Sequence, residues 1–311
     1  MSILIDSDTT FIVQGITGRE AVNLTRECLD YGTGAKVVGG VTPGRLGREV
    51  HGVPVFDTVA QAVEHHGAQI DGSVVTVPPA FTKDAVFEAI ENGIKLIVIV
   101  TERIPRKDVA QMVELAGLRG ARIIGPNCLG IIVPDVIKMG GIGGPAKDAA
   151  KSYSKGNIGV ISRSGGMTTE MSSTLSAAGL GISTAVSIGG DAIIGSSYAE
   201  LMPLFEADEE TEGIVIYTEP GGRMEAELAR WVADQLEAVG YQTVYVESGA
   251  PGRGNVFARL AGADPGRGAL MIHGHLDVVP AEAADWSVHP FSGAVTDGYV
   301  WGRGAVDMKK M

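Results

Sequence analysis

The residues best suited to metal chemistry lie in an apolar run, MIHGHLDVVP, at positions 271–280. His275 and Asp277 stand two residues apart, where a strand would end. An imidazole binds a metal well when a carboxylate holds its ring in place. A His and an Asp at this spacing therefore indicate the beginning of a metal site, whose remaining ligands have to come from elsewhere.

A glycine-rich turn early in the chain has the features of a phosphate site. In QGITGRE, at 14–20, Gly15 follows a strand-like run, Gly18 comes three residues later, and a helix-like run begins there. The first backbone N–H groups of a helix, together with its dipole, attract a phosphate group. A tight strand-to-helix turn without any ligand is the alternative for so short a pattern.

The end of the second strand indicates which nucleotide would suit this turn. A protein that binds NAD carries an acidic residue there to hold a ribose hydroxyl. Here the sequence is VVGGVTPGRLGR, at 37–48, which contains Arg45 and Arg48. Because arginine suits a further phosphate group, a nucleotide with additional phosphates, such as coenzyme A (CoA), is favoured over NAD.

These residues need a framework, and strand-like and helix-like runs alternate from the start of the chain. Five apolar runs separated by amphipathic runs predict a doubly wound parallel sheet, whose ligands would bind at the carboxyl ends of the strands. We expect Asp57 to cap the second helix. A second series of runs, from about residue 151 to YQTVYVE at 241–247, predicts another α/β sheet.

Composition limits the partners and the compartment. The formal net charge of −12 argues against a nucleic-acid partner, because binding phosphate backbones requires a basic surface. Cys28 and Cys128 lack metal-site spacing and are expected to be reduced thiols in a cytoplasmic protein. We expect no signal peptide and no membrane association, since no apolar run is long enough to span a bilayer.

The motifs described above resemble those of the α subunit of succinate–CoA ligase and related acyl-CoA ligases. QGITGREA, VTERIP, GPNCLG, SRSGGMTTE, SIGGD and TEPGG occur in order within residues 1–222. The resemblance implies a Rossmann-like CoA-binding domain at 1–150, an incomplete flavodoxin-like ligase domain at 151–223 and a nucleotide-binding β subunit as partner. It also implies that CoA is bound by Thr17, Gly18, Arg19, Glu20, Arg45, Val100, Thr101 and Glu102.

The same resemblance assigns a second anion site to the SRSGG turn. Ser164, Gly165 and Gly166 would hold the phosphoryl group of a phosphohistidine, and Glu219 would face that histidine; a turn without ligand is again the alternative. The family's histidine lies in a Gly-His-Ala-Gly segment, which does not occur in this sequence. We therefore expect the phosphohistidine relay, a form of nucleophilic catalysis, to be missing.

From about residue 224 the sequence resembles the dinuclear zinc amidohydrolases and exopeptidases related to aminoacylase and acetylornithine deacetylase. ALMIHGHLDVVP, DWSVHPFSG and GYVWGRGAVDMK carry this resemblance. It implies a truncated α/β metallohydrolase segment at 224–311, in which His275 and Asp307 bind zinc and Asp277 orients His275. We expect zinc to bind weakly at most, because the other ligands and the general base are missing and the site is incomplete.

The two resemblances together predict a fusion of a CoA-binding ligase α subunit with the beginning of a metallohydrolase. The ligase part is the larger, so an acyl-CoA ligase α subunit is the leading interpretation. One alternative is a zinc-dependent amidohydrolase or peptidase defined by the C-terminal part. Another is a non-catalytic CoA-binding fusion or a rearrangement product.

Overall fold

The computed structural model describes residues 2–33, 36–218, 224–247, 254–259, 295–296 and 299–300. The chain divides into two compact units, residues 1–269 and residues 270–311. Among the described helices, none is long and apolar enough to cross a membrane.

Seven strands of the described chain form the first sheet, in the order β3-β4-β2-β1-β5-β6-β7. Neighbouring strands are parallel except β3 and β4. The order reverses direction between β1 and β5, which is where ligands of doubly wound sheets bind. The predicted doubly wound sheet is thus confirmed. The strands are β1 (Thr10–Gln14), β2 (Lys36–Val41), β3 (Glu49–Val50), β4 (Val53–Phe56), β5 (Gly72–Val75), β6 (Leu96–Ile99) and β7 (Arg122–Ile124).

Both faces of this sheet are buried. Along β1, Phe11 and Val13 belong to one apolar core and Ile12 belongs to the other. Burial on both faces explains why the strands are continuous apolar runs rather than alternating ones. The helices packed with this sheet are α1 (Arg19–Leu29), α2 (Val59–His66), α3 (Pro79–Glu91) and α4 (Arg106–Arg119).

The predicted cap of α2 is wrong by one residue. Thr58, not Asp57, is the N-cap, and its hydroxyl accepts a hydrogen bond from the Gln61 N–H at 3.2 Å. The Asp57 carboxylate instead accepts from backbone N–H groups of the loop after β2. The Asp57 side chain, which the local sequence would assign to the helix, instead makes a tertiary contact. Thr58 therefore serves as the helix cap.

Five strands of the described chain form the second sheet, in the order β12-β10-β11-β8-β9. β10 is parallel to both β11 and β12, whereas β8 is antiparallel to β11 and β9. β8 and β9 therefore belong to this sheet although they lie within residues 1–150. The elements are β8 (Gly130–Val133), β9 (Ile137–Met139), α5 (Ala146–Ser152), β10 (Lys155–Ser162), α6 (Gly165–Ala177), β11 (Ile182–Ser187), α7 (Tyr198–Glu206) and β12 (Gly213–Tyr217).

The segment after β12 departs from the prediction of one continuous second sheet. α8 (Met224–Ala238) is followed by β13 (Gln242–Glu247) and β14 (Gly254–Arg259). β13 pairs antiparallel with β14 instead of extending the second sheet. The Arg230 guanidinium lies 4.9 Å from the Tyr245 ring centre, which joins the hairpin to α8. In the second unit, β15 (Val295–Thr296) and β16 (Tyr299–Val300) form a short antiparallel pair.

Candidate functional site

The loops at the carboxyl edge of the first sheet are joined by backbone hydrogen bonds. The Gly15 N–H donates to the Val41 carbonyl at 2.7 Å, which links the turn after β1 to the end of β2. The Thr76 N–H donates to the Gln14 carbonyl at 3.0 Å, and the Val100 N–H donates to the Val75 carbonyl at 3.1 Å. The loops that carry the predicted CoA residues therefore lie along one edge.

The turn after β1 presents the beginning of α1 without a side-chain cap. Gly15 has a φ of +85°, and a Cβ there would lie 2.9 Å from the Thr76 Oγ1, so a glycine is required. The Gly18 N–H donates to the Gly15 carbonyl at 2.9 Å, and Gly18 is the N-cap residue of α1. Because Gly18 has no side chain to accept from the first turn, that turn can offer its N–H groups to an anion.

The polar side chains predicted for CoA differ in how they are engaged. The Thr17 hydroxyl donates to the Thr42 Oγ1 at 3.3 Å and so connects the first two loops. Arg19 and Glu20 are exposed and form an ion pair with each other at 3.2 Å. A ligand phosphate would have to compete with Glu20 for Arg19, a weak exposed pair. Arg45 is also exposed, on the loop after β2.

The third predicted segment, after β6, is partly engaged with the protein. The Thr101 hydroxyl donates to the Val77 carbonyl at 2.8 Å, and Glu102 is paired with Arg103 at 3.3 Å. Val100 is partly buried and packs against one of the apolar cores. The segment can therefore present its backbone and the Glu102 carboxylate, whereas the Thr101 hydroxyl is already bound.

Asp57 is a site residue that the sequence prediction missed. Its Oδ1 accepts hydrogen bonds from the Arg45 N–H at 2.9 Å and from the Leu46 N–H at 3.0 Å. Together with backbone hydrogen bonds such as that from the Gly47 N–H to the Val55 carbonyl at 3.2 Å, these two bonds hold the loop that carries the Arg45 side chain. The one local signal was a second possible cap, Thr58, directly after Asp57, which would have released the carboxylate for another contact.

The SRSGG turn lies at the carboxyl end of β10 and begins α6. Ser164 is the N-cap, and its hydroxyl accepts from the Met167 N–H at 3.5 Å. The Ser162 hydroxyl donates to the Ser164 carbonyl at 2.8 Å and accepts from the Ser164 N–H at 3.1 Å. Gly165 and Gly166 form the start of the helix, whose first turn holds no acidic residue. The glycine N–H groups at this helix start are thus placed where an anion would be favoured.

The catalytic and metal residues predicted elsewhere lie outside the described residues: Glu219, His275, Asp277 and Asp307. Within the described part of the chain, no three His, Cys, Asp or Glu side chains come together as a metal site would require.

Cys28 and Cys128 are free thiols in the interior of the protein. Burial raises the pKa of Cys28 to about 11 and the pKa of Cys128 to about 12. Since the thiolate is the reactive form, both are unreactive at neutral pH. Neither can therefore act as a nucleophile in the folded protein.

An ion pair between a buried lysine and a partly exposed glutamate joins α1, which packs with the first sheet, to β9 of the second. The Lys138 Nζ lies 3.5 Å from the Glu27 Oε2 and donates to the Ile142 carbonyl at 3.2 Å. Burial lowers the pKa of Lys138, and the charge of Glu27 opposes that change. The pair therefore ties the two sheets together through a fully buried ammonium group.

Comparison with known proteins divides the chain into three matched regions. The CoA binding domain family matches residues 6–103, and the flavodoxin domain of the succinyl-CoA ligase type matches residues 155–261. The second match continues beyond residue 223, into the segment that the sequence assigned to a metallohydrolase. Peptidase family M20/M25/M40 matches residues 271–311.

Curated relatives match the ligase-like part of the chain, which is the larger part. The chain is 40% identical over 255 residues to the α subunit of ADP-forming succinate–CoA ligase from Aquifex aeolicus, covering 81% of this chain and 80% of that protein. It is 44% identical to the α subunit 2 from Archaeoglobus fulgidus, with 78% and 81% covered. It is 42% identical to the SqwL subunit of an ADP-forming sulfoacetate–CoA ligase from an Acholeplasma species, with 75% and 76% covered.

The fold is shared with a structure of ATP citrate lyase from Methanothrix soehngenii in complex with citrate and coenzyme A. The TM-score is 0.68 at 22% identity, with 75% of this chain and 39% of that chain covered. The chain thus spans about two fifths of the lyase, and the likeness concerns the fold alone. By its sequence and its CoA-binding and flavodoxin-like domains, the chain belongs to the succinate–CoA ligase α-subunit family.

Proposed function

We propose that the chain binds CoA at the carboxyl edge of its first sheet, as the α subunit of an acyl-CoA ligase whose β subunit binds the nucleotide. One observation carries the proposal: the uncapped start of α1 and the Arg45 loop, held by Asp57, lie side by side at the sheet's switch point. The contacts proposed for CoA are Thr17, Gly18, Arg19, Glu20, Arg45, Val100, Thr101 and Glu102.

The proposed contacts divide the recognition of CoA among three loops. The first N–H groups of α1 hold one phosphate through hydrogen bonds and the helix dipole. The Arg45 guanidinium holds a second phosphate with two parallel N–H donors, which a lysine could not present. The Val100–Glu102 segment forms the far wall. An arginine in place of an acidic residue after β2 disfavours NAD at the same site.

We propose that Ser164, Gly165 and Gly166 bind a phosphoryl group and that Glu219 faces this turn. The support is the glycine-led start of α6, at which the helix dipole and the glycine N–H groups favour an anion. Because the sequence contains no Gly-His-Ala-Gly segment, we propose that the chain does not relay the phosphoryl group through a histidine of its own. Incubation with a β subunit and ATP should leave it free of acid-labile phosphate, and label on His273 or His275 would contradict this.

Calorimetric titration of the full chain with CoA and with NAD tests the CoA site. CoA should bind more tightly, and Arg45→Ala should weaken CoA binding by about 10- to 100-fold, the effect of losing a charged hydrogen bond. Arg119→Ala is the matched control, because Arg119 is exposed at the end of α4, away from the strand ends that form the site. Tighter binding of NAD, or an equal loss from both variants, would contradict the proposal.

The acid that the ligase uses belongs to the same proposal. The relatives named above act on succinate or sulfoacetate according to their names. Both are small carboxylates with a second anionic group. We propose a substrate of that class, and ligase assays with a series of such acids, in the presence of a β subunit, would identify it.

A second proposal concerns residues 271–311, whose match to peptidase family M20/M25/M40 supports a fused metallohydrolase segment. His275 and Asp307 supply two ligands and Asp277 supplies a group to orient the imidazole, whereas catalytic zinc requires three protein ligands. His275 and Asp307 by themselves therefore do not form a complete zinc centre. We expect no hydrolysis of N-acyl amino acids or dipeptides with added zinc. Zinc-dependent hydrolysis that is abolished by His275→Ala would overturn this expectation.

A further inference from the structure

Three loops, one from the first sheet and two from the second, are joined by hydrogen bonds beside the proposed CoA site. They follow β7, β10 and β11, at the carboxyl end of each strand. The Asn127 Nδ2, after β7, donates to the Asp191 Oδ1, after β11, at 3.0 Å. The Gly190 N–H returns a hydrogen bond to the Asn127 carbonyl at 3.3 Å. The contact is thus reciprocal and joins residues that are 64 positions apart.

The buried side chain of Arg163, which follows β10, donates hydrogen bonds to the loop that carries Asp191. Its side chain is 4% exposed, and its Nη2 donates to the Asp191 carbonyl at 2.8 Å and to the Gly190 carbonyl at 3.2 Å. Hydrogen bonds from a charged donor are stronger than neutral ones. The position of Asp191 is therefore set by the second sheet.

The loops are packed too closely to move independently. The Asn127 backbone has a φ of +57°, in the left-handed region that asparagine adopts more readily than most other residues. A Cβ on Gly189 would lie 2.1 Å from the Pro126 carbonyl oxygen. The Gly195 N–H also donates to the Gly125 carbonyl at 2.8 Å. The loop that carries Asp191 therefore packs directly against the segment 125–127.

Asn127 also contacts the loop after β6, which carries part of the proposed CoA site. Its backbone N–H donates to the Thr101 carbonyl at 3.0 Å. Thr101 is the middle residue of the segment Val100–Glu102, which is proposed to contact CoA. A continuous path of hydrogen bonds consequently runs from the second sheet, through Asp191 and Asn127, to the backbone of this segment.

We propose that Asn127 and Asp191 are positioning residues for CoA: the second sheet, through their hydrogen bond, holds the Val100–Glu102 segment in its binding conformation. This inference rests on the proposed CoA site. Neither side chain needs to touch the ligand, because the Asn127 amide orders the loop before CoA arrives. Ordering a binding segment in advance raises affinity by lowering the entropy lost on binding.

Calorimetric titration of the full chain with CoA alone tests this role. Asp191→Ala removes the acceptor and should weaken CoA binding about tenfold. Asp191→Asn keeps an oxygen that accepts from Asn127 and should restore the affinity to within about twofold. Asn127→Ala removes the same bond and also places an alanine at φ +57°, so it should weaken CoA binding at least as much as Asp191→Ala. The double variant should be no weaker than Asn127→Ala alone, because both substitutions remove one interaction.

The chain contains a matched control for the loss of such a bond. The Asn157 Nδ2 donates to the Glu212 Oε2 at 2.6 Å, at the opposite end of β10 from Arg163. Asn157→Ala removes the same chemical interaction and should leave CoA affinity within about twofold. If Asp191→Ala does not fold, as judged by circular dichroism, Asn127→Ala provides the same comparison with Asn157→Ala.

Three results would overturn the inference while leaving the CoA site intact. These are unchanged affinity in Asp191→Ala, failure of Asp191→Asn to restore affinity, or losses that add in the double variant. Equal weakening by Asn157→Ala would also overturn it, because the effect would then be general destabilisation. Absence of CoA binding by the unmodified chain would instead overturn the proposed function, and this inference with it.

Discussion

One carboxylate oxygen, Asp57 Oδ1, accepts two of the hydrogen bonds that hold the loop carrying Arg45, so the effect of removing it can be worked out from the structure. Asp57→Ala deletes the acceptor of two backbone N–H groups, from Arg45 at 2.9 Å and from Leu46 at 3.0 Å. Each hydrogen bond to a charged acceptor contributes about 1.5 kcal/mol at the low end, which is appropriate for a partly exposed site. The Arg45 N–H also donates to the Thr42 carbonyl at 3.1 Å and keeps that acceptor. The loop should therefore lose at most about 3 kcal/mol of ordering free energy.

If CoA binds only to the ordered loop, ordering the loop in the variant costs this free energy, and the affinity for CoA falls by the same amount. A cost of about 3 kcal/mol corresponds to roughly a hundredfold loss of affinity, and residual order in the loop lowers the expectation to about 10- to 100-fold. Asp57→Asn retains one amide oxygen, which is a weaker acceptor than a carboxylate oxygen. Its loss of affinity for CoA should therefore be smaller than that of Asp57→Ala. Calorimetric titration with CoA measures all three proteins.

A double-variant cycle separates this explanation from a general loss of stability. If Asp57 acts by placing Arg45, Asp57→Ala should weaken CoA binding strongly in the unmodified chain and only slightly in the Arg45→Ala background. Losses that add across the two positions would refute the reasoning. So would an affinity of Asp57→Ala within twofold of the unmodified chain.

Three further predictions concern stability, each measured by urea unfolding. Gly15→Ala places a side chain at φ +85°, which should lower the free energy of unfolding by at least about 1–2 kcal/mol and weaken CoA binding. Unchanged stability and affinity would contradict the claim that a glycine is required there. Glu27→Gln should cost up to about 3 kcal/mol, because the buried Lys138 ammonium keeps carbonyl partners but loses its charged one. Adding Lys138→Met should recover most of that loss, and no recovery would contradict the ion-pair explanation. The raised pKa values, about 11 for Cys28 and about 12 for Cys128, mean that the folded state favours the neutral thiols. Their contribution is therefore fully present below about pH 9, the ordinary thiol value, and is lost as the pH rises through 11 and 12. Replacing Cys128 with Ala should flatten this alkaline decline, and an equal decline in the variant would contradict the assignment.

Local pattern in the sequence was enough to predict the first sheet and its turns. Strands buried on both faces must be continuous apolar runs, and a parallel connection requires a helix between them, so the alternation of runs specifies the doubly wound sheet. Gly15 was recognisable for the same reason, because a tight strand-to-helix turn requires glycine at its left-handed position. The expected location of the site, at the strands' carboxyl ends, follows from that architecture.

Contacts between distant parts of the chain depended on the tertiary structure. Asp57 was a plausible helix cap by sequence, and only the fold brings the N–H groups of Arg45 and Leu46 to its carboxylate. The pairing of β13 with β14, rather than with the second sheet, likewise depends on which edge lies within hydrogen-bonding distance. The bond between Asn127 and Asp191 spans 64 positions and belongs to no local pattern. Such pairs carry no periodic signal, because their geometry exists only once separate parts of the chain have packed together.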